Sequence, residues 1–308
     1  MQPGPVGRPL IAVVGATATG KSDLAVTIAV ALGGEVVNAD AAQLYRGMDI
    51  GTAKLPLAER AGVRHHLLDV LDVRQESNVA AYQQQARATI ADLQAADRAA
   101  VLVGGSGLYV RAVLDRLEFP GTDPDIRARW EQRAGELGPA GLHRELAARD
   151  PVAAAVIAAP NVRRVVRALE VIDITGRPFA ARLPAPGYVR PTVQVGLRLE
   201  RSRLDRRIDE RVGGMLAAGL IEEVRHLERQ GLREGRTAAA ALGYSQVLAH
   251  LEGALTLEQV RDETARATRA FARRQEKWFR RDERIVWFDA EQPVQVLARQ
   301  VLELLGQK

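Results

Sequence analysis

The 308-residue sequence contains no cysteine, which excludes disulfides and thiolate-bound metals. No apolar run approaches the length of a bilayer-spanning helix. Residues 1–9 carry proline and glycine without the apolar stretch of a secretory leader, so no signal peptide is expected. There is no internal repeat and no low-complexity tract. Lysine is scarce: Lys21, Lys54, Lys277 and Lys308 stand alone, and the other 39 of the 43 basic residues are arginine. Where arginine is the default, a lysine marks a place that wants a compact ammonium. That singles out Lys21 first and Lys54 second. The remaining composition, 47% hydrophobic and 26% charged, is that of a soluble globular chain of one large or two smaller domains, expected in the cytoplasm. A net charge of +5 and an isoelectric point near 9.8 suit a polyanionic partner.

The strongest local signal is the apolar run Leu10–Val14 followed by Gly15-Ala16-Thr17-Ala18-Thr19-Gly20-Lys21-Ser22. The run predicts a buried strand, and Asp23 to Leu32 predicts a helix. Between them the eight residues match G-x-x-x-x-G-K-[ST], a phosphate-binding loop in its proper strand–loop–helix context. Exposed backbone N–H groups, the helix N-terminus and the Lys21 ammonium cradle a di- or triphosphate. Ser22 offers a hydroxyl to Mg²⁺. The motif says phosphate, and leaves open which one and what becomes of it.

Glu35–Asn38 predicts a second strand, leading into Asp40-Ala41-Ala42-Gln43. In a parallel sheet ligands bind beyond the carboxyl ends of the strands. Asp40 at such an end could bind Mg²⁺, act as a general base, or cap a helix. Val63–Val70 is a third strand candidate. Its adjacent His65 and His66 point to opposite faces of a strand, so structural roles are expected rather than a shared metal. A helix over Val79–Ala95 and a strand over Ala99–Val103 follow, ending in Gly104-Gly105-Ser106-Gly107. An ATPase would usually place a Walker-B aspartate there. Glycine instead suggests close approach of the backbone to a bound group. From Asp125 to about Arg182 the chain predicts an arginine-rich helical insertion, with Arg163, Arg164 and Arg167 one turn apart. Strand pattern resumes at Thr192–Leu199. Two helices are expected over Arg201–Gln230, with Arg206, Arg207 and Arg211 clustered on the first. A bend or close contact is expected at Gly213-Gly214. Thr256-x-x-Gln259 opens a long helix to about Arg281. On it and just beyond, Arg266, Arg269, Arg273, Lys277, Arg280 and Arg284 fall on one side, interleaved with Trp278 and Phe279, as a face for nucleic acid does. Ile285–Phe288 and Val294–Leu305 give a last strand and helix.

Several of these segments resemble the tRNA dimethylallyltransferases, the IPP transferase family. They are the phosphate loop with Asp40 to Lys54, His65–Asp69, Gly104–Tyr109, Arg164–Val171, Arg207–Arg211, Ala241–Tyr244 and Arg273-Arg274-Gln275-x-x-Trp278-Phe279. They run in order over nearly the whole chain. The resemblance implies an α/β fold like that of P-loop kinases, a parallel sheet with helices on both faces, in three segments. Residues 8–121 begin the core, 122–189 form a helical insertion that contacts tRNA, and 190–308 complete the core. It implies transfer of a dimethylallyl group from dimethylallyl diphosphate to N6 of the adenosine 3′ of the anticodon. Asp40 would be the general base. Thr17, Lys21, Ser22 and Arg207 would hold the diphosphate with Mg²⁺. The anticodon stem-loop would be touched by Asp40 to Gln43, Ser106, Arg127, Arg163 to Arg167, Ala239 to Tyr244 (Gly243 included) and Arg273 to Arg280. A monomer is expected. Ala41 stands where the family commonly has serine, and Ser106 replaces a frequent threonine. Three readings compete: a P-loop small-molecule or nucleoside kinase, a transferase acting on free adenine nucleotides, and an RNA-binding module with a vestigial loop.

Overall fold

The computed structural model describes residues 9–179 and 183–306. Residues 1–8, which the expectation about a leader concerned, lie outside them, as does Arg182 of the insertion. Six parallel strands form one sheet in the order β3-β2-β4-β1-β5-β6. They are β1 (Leu10–Gly15), β2 (Glu35–Asn38), β3 (His65–His66), β4 (Ala100–Gly104), β5 (Thr192–Arg198) and β6 (Val286–Asp289). Every residue of β1 is buried, because helices cover both faces of the sheet. Ile11 and Val13 face a core shared with α1 (Lys21–Leu32), α7 (Arg201–Ala217) and α11 (Val294–Gly306). Leu10, Ala12 and Val14 face the opposite core, with α2 (Val79–Ala95), α3 (Gly107–Leu114) and the end of α10 (Leu257–Phe279). The period-2 alternation of a strand assigns the two sets.

Local chemistry sets the helix ends. The Asn78 side chain caps α2 by accepting from Ala80 and Ala81 N–H. Thr256 and Gln259 form the reciprocal capping box at the start of α10. The third strand is shorter than the sequence predicts. Only His65 and His66 pair with β2, because Leu67 and Asp69 take left-handed φ of 59° and 58° and break the ladder. His66 Nε2 meets the buried Glu35 carboxylate and His65 Nδ1 meets Val63 O, so both rings have structural partners. Helix α7 runs through Gly213-Gly214, and a methyl group added at either would touch nothing within 4 Å. The close contact expected there is therefore absent among the described residues.

Contacts divide the chain into two compact units. One holds the sheet: residues up to Asp115 and from Tyr188 onward. The other is Arg116–Gly187, comprising α4 (Pro124–Arg149), α5 (Pro151–Val156) and α6 (Val162–Thr175) around Leu142, Leu146, Val165 and Leu169. Helix α4 breaks at Gly138-Pro139, where Gly138 leaves helical geometry. The rest of the sheet unit includes α8 (Leu220–Arg229) and α9 (Tyr244–Leu251), which pack around Tyr45 and Met48. Among the described residues no helix is long and apolar enough to cross a membrane.

Candidate active site

Parallel strands deliver their following loops to one edge. The carboxyl ends of β1, β2 and β4 therefore bring residues 15–22, 39–43 and 105–106 together. Gly20 (φ 84°) caps α1 in a left-handed conformation that favours glycine. Ala18 also sits at φ 63°, a strained position for a residue with a Cβ, costing about 1–3 kcal/mol unless its surroundings hold it. Two bonds brace the loop from within: Thr19 Oγ1 donates to Ala16 O at 2.9 Å and Lys21 Nζ donates to the same oxygen at 2.5 Å. A third reaches in from α10, where Gln275 Oε1 accepts Thr17 N–H at 2.9 Å.

Asp40 follows β2 and is bracketed by its neighbour. Asn38 Oδ1 accepts Asp40 N–H, and Asn38 Nδ2 donates to Asp40 O and Leu67 O. Asp40 Oδ1 accepts Ala42 N–H at 3.0 Å and so initiates the single turn Ala42–Leu44. Ser106 Oγ accepts Ala41 N–H at 3.2 Å, tying this loop to the end of β4. The backbone of residue 41 makes that bond, so its side chain is not needed for it. Burial pushes the Asp40 carboxyl above the usual carboxylate range, and the Ala42 N–H and the Lys21 charge only partly oppose it. Burial brings the Lys21 ammonium down to about 8, with Asp40 opposing and Arg211 adding to the fall. Arg211 in turn lies beside Arg207 and Asp23. Three cations, Lys21, Arg207 and Arg211, thus gather at the phosphate loop as a candidate anion site. Of the two arginines the family resemblance implies only Arg207. The i, i+4 spacing of Arg207 and Arg211 on one helix was the signal for the second.

Other expected site residues have protein partners. The glycines after β4 do approach something closely, but it is the protein itself. A Cβ on Gly104 would lie 2.3 Å from Ala39 O, on Gly105 2.2 Å from Gln275 Nε2, and on Gly107 2.2 Å from the Trp278 ring. This corrects the expectation of a bound group there. Lys54 is buried and structural: its ammonium reaches Asp49 (2.5 Å), Asp69 (2.6 Å) and Tyr45 O (3.0 Å). Glu223 of α8 accepts the N–H groups of Asp49, Ile50 and Gly51 and the hydroxyl of Tyr244, whose ring is fully buried against Gly51. Gln43 Nε2 donates to Thr52 O.

In the insertion, Arg127 and Arg167 both donate to the buried Glu170 carboxylate, each at 2.8 Å. Burial pushes that carboxyl up, but the two guanidinium bonds outweigh it and hold it below its ordinary value. Arg163 and Arg164 lie on the exposed side of α6. On α10, Arg273, Arg274 and Lys277 are exposed, as is Arg280 just past its end. Arg266 pairs with Glu263 and Arg269 with Asp209. Arg284 lies beyond the helix, bonded to Asp115 and Asp282 at 2.7 and 2.6 Å, with its guanidinium 4.0 Å from the centre of the Tyr188 ring. The basic face is therefore shorter than the sequence suggests.

Sheet order, helices on both faces and a strand–loop–helix phosphate site define a P-loop NTPase-like fold. The sequence comparisons narrow this. The family model described as IPP transferase matches residues 43–282. The chain is 60% identical over 306 residues to the tRNA dimethylallyltransferase of Kineococcus radiotolerans, covering 96% of each protein. It is 60% identical over 287 residues to that of Streptomyces coelicolor, covering 93% of this chain and 92% of the relative. Among solved structures, the full-length tRNA isopentenylpyrophosphate transferase of Bacillus halodurans matches with a TM-score of 0.72 and 37% identity over 97% of each chain. The chain belongs to the IPP transferase family. These matches give no support to the kinase reading.

Proposed function

We propose that this protein transfers the dimethylallyl group of dimethylallyl diphosphate to N6 of the adenosine 3′ of the anticodon in tRNA. The observation that carries the reading is the half-buried Asp40 carboxylate, near enough to the Lys21 ammonium of the phosphate loop for each to feel the other's charge. That pair sets a proton acceptor beside the seat of an anionic leaving group. The N6 nitrogen attacks the allylic carbon as its bond to the diphosphate oxygen breaks. The diphosphate leaves with the bonding electrons, and the N6 proton passes to Asp40. An exocyclic amine conjugated into adenine is a poor nucleophile, so close placement and a base are both needed. Lys21, Arg207 and Arg211 stabilise the charge that develops on the leaving group. No nucleotide is hydrolysed, in keeping with glycine and serine where a Walker-B acid would stand.

The residues present fit Mg²⁺. Among the described residues no three His, Asp or Glu side chains converge into an all-protein cage. Mg²⁺ instead is held by one or two protein oxygens plus substrate phosphates, and the Ser22 hydroxyl in the first turn of α1 makes no intramolecular hydrogen bond among the described residues. Bound there, the ion would neutralise part of the diphosphate charge. The exposed Arg273 and Lys277 of α10, Arg280 just past its end, and Arg163 and Arg164 of the insertion would contact the anticodon stem-loop, the enzyme acting as a monomer. The test offers the protein dimethylallyl diphosphate and Mg²⁺ with either an anticodon stem-loop or a free adenine nucleotide, and ATP in a parallel reaction. A mass gain of one dimethylallyl group on the RNA alone is expected. Modification only of the free nucleotide, or phosphoryl transfer from ATP, would overturn the reading.

A further inference from the structure

Gln275 sits in the segment Arg273-Arg274-Gln275-Glu276-Lys277-Trp278, in which Arg273, Arg274 and Lys277 are exposed cations. Its own side chain turns the other way and is 4% exposed. Its Oε1 accepts Thr17 N–H at 2.9 Å, and its Nε2 donates to Gly105 O at 2.9 Å. Thr17 is the third residue of the phosphate loop, and Gly105 follows β4. One amide thus bridges the anion-binding loop to the neighbouring strand end, across 258 and 170 residues of sequence. The fit leaves no slack, since a Cβ on Gly105 would lie 2.2 Å from Nε2. The loop needs such a brace, because it holds Ala18 in a left-handed conformation whose strain its surroundings must offset. An amide suits the place. It donates and accepts at once, and carries no charge to repel or bind the anion.

We propose that Gln275 is a positioning residue for the diphosphate donor and not an RNA contact, holding the phosphate loop in its anion-binding shape through Thr17. This rests on the reading of the loop as the donor site given above. The test compares wild type, Gln275→Met, Gln275→Glu and Arg273→Ala, using inorganic pyrophosphate with Mg²⁺ as the binding probe and steady-state transfer to an anticodon stem-loop. Methionine keeps length and loses both bonds. Glutamate keeps the acceptor for Thr17 N–H but loses the donor to Gly105 and adds charge. Gln275→Met is expected to weaken pyrophosphate binding and raise the KM for dimethylallyl diphosphate roughly tenfold, the effect of losing about one buried hydrogen bond to the phosphate loop, that to Thr17 N–H, with the KM for RNA within twofold of wild type. Gln275→Glu is expected to bind pyrophosphate still more weakly. Arg273→Ala should show the converse, a raised KM for RNA and an unchanged donor KM. Thermal unfolding of each variant reports whether it is folded. A Gln275→Met protein that unfolds like wild type yet binds pyrophosphate equally well overturns the proposal, as does a rise confined to the KM for RNA. Wild type that binds no pyrophosphate overturns the donor-site reading itself and the proposal with it.

Discussion

Replacing Asp40 by asparagine separates the base from the scaffold. The two side chains are nearly isosteric. An asparagine carbonyl can still accept the Ala42 N–H that Asp40 Oδ1 accepts at 3.0 Å. The bracket that Asn38 places on this loop engages the backbone of residue 40 and not its side chain. The tie from Ser106 goes to Ala41 N–H. The loop therefore keeps its shape, and what disappears is the proton acceptor. Positioned general bases contribute about 10²- to 10⁴-fold, or about 3–5 kcal/mol of transition-state stabilisation. The expected outcome is a loss of that size in single-turnover transfer, with RNA affinity unchanged. The pH profile carries a second signature. With Asp40 as the proposed base and Lys21 as the proposed diphosphate ligand, wild type is expected to need Asp40 ionised and Lys21 protonated. Its rate should rise with pH through a carboxyl displaced above the usual carboxylate range and fall as Lys21 deprotonates at about 8. Asp40 raises the Lys21 value, so its removal should abolish the acid limb and move the alkaline limb to lower pH. Product measured by mass after rapid quenching decides the matter. An Asp40→Asn enzyme retaining a tenth or more of the wild-type rate, with its acid limb in place, would refute Asp40 as the base.

Three further outcomes follow from the geometry. Lys21→Met should abolish donor binding yet stabilise the fold at neutral pH by up to about 3 kcal/mol. The folded Lys21 value lies below 10.5, so protonation is penalised in the native state, and the gain should fade as pH rises from about 8 to 10.5. Denaturant unfolding at pH 7 and pH 10 checks this, and a loss of stability at pH 7 would contradict it. Arg273→Ala and Lys277→Ala should each weaken RNA binding and reduce the slope of log affinity against log salt by about 1. An unchanged slope in titrations from 50 to 300 mM salt (roughly the range where phosphate contacts dominate) would remove α10 from the RNA face. Arg284→Met should behave differently, leaving the salt slope alone while costing about 1.5–3 kcal/mol in unfolding free energy, the worth of a lost hydrogen bond to a charged group. It removes one of the two guanidinium groups that hold the fully buried Asp115 carboxylate, Arg284 at 2.7 Å, and leaves the other, Arg111 at 2.6 Å.

Much of the fold is legible in the sequence because its signals are local. The helix over Val79–Ala95 begins at an asparagine whose side chain reaches N–H groups two and three residues on. The capping box at Thr256 spans three residues. The third strand was overread because nothing in Val63–Val70 announces that Leu67 and Asp69 will turn left-handed. The candidate site was legible where the chain is contiguous, as from Gly15 to Ser22. It was misread where a partner lies far away. Lys54 was singled out correctly as a place for a compact ammonium, but its use is to neutralise Asp49 and Asp69. The glycines after β4 were read correctly as marks of close approach, and only the approaching atoms were mistaken.

The sequence by itself determined the phosphate loop, the places of most strands and the caps that start α2 and α10, since each depends on periodicity or hydrogen bonding within a few residues. Tertiary structure alone decided which polar side chains are spent inside the protein. Gln275 turns to a loop 258 residues away, Arg127 and Arg167 converge on Glu170, and Arg284 leaves the basic face for Asp115. A buried polar group must find a partner, and which partner lies within reach is fixed by how distant segments pack, which no local pattern encodes.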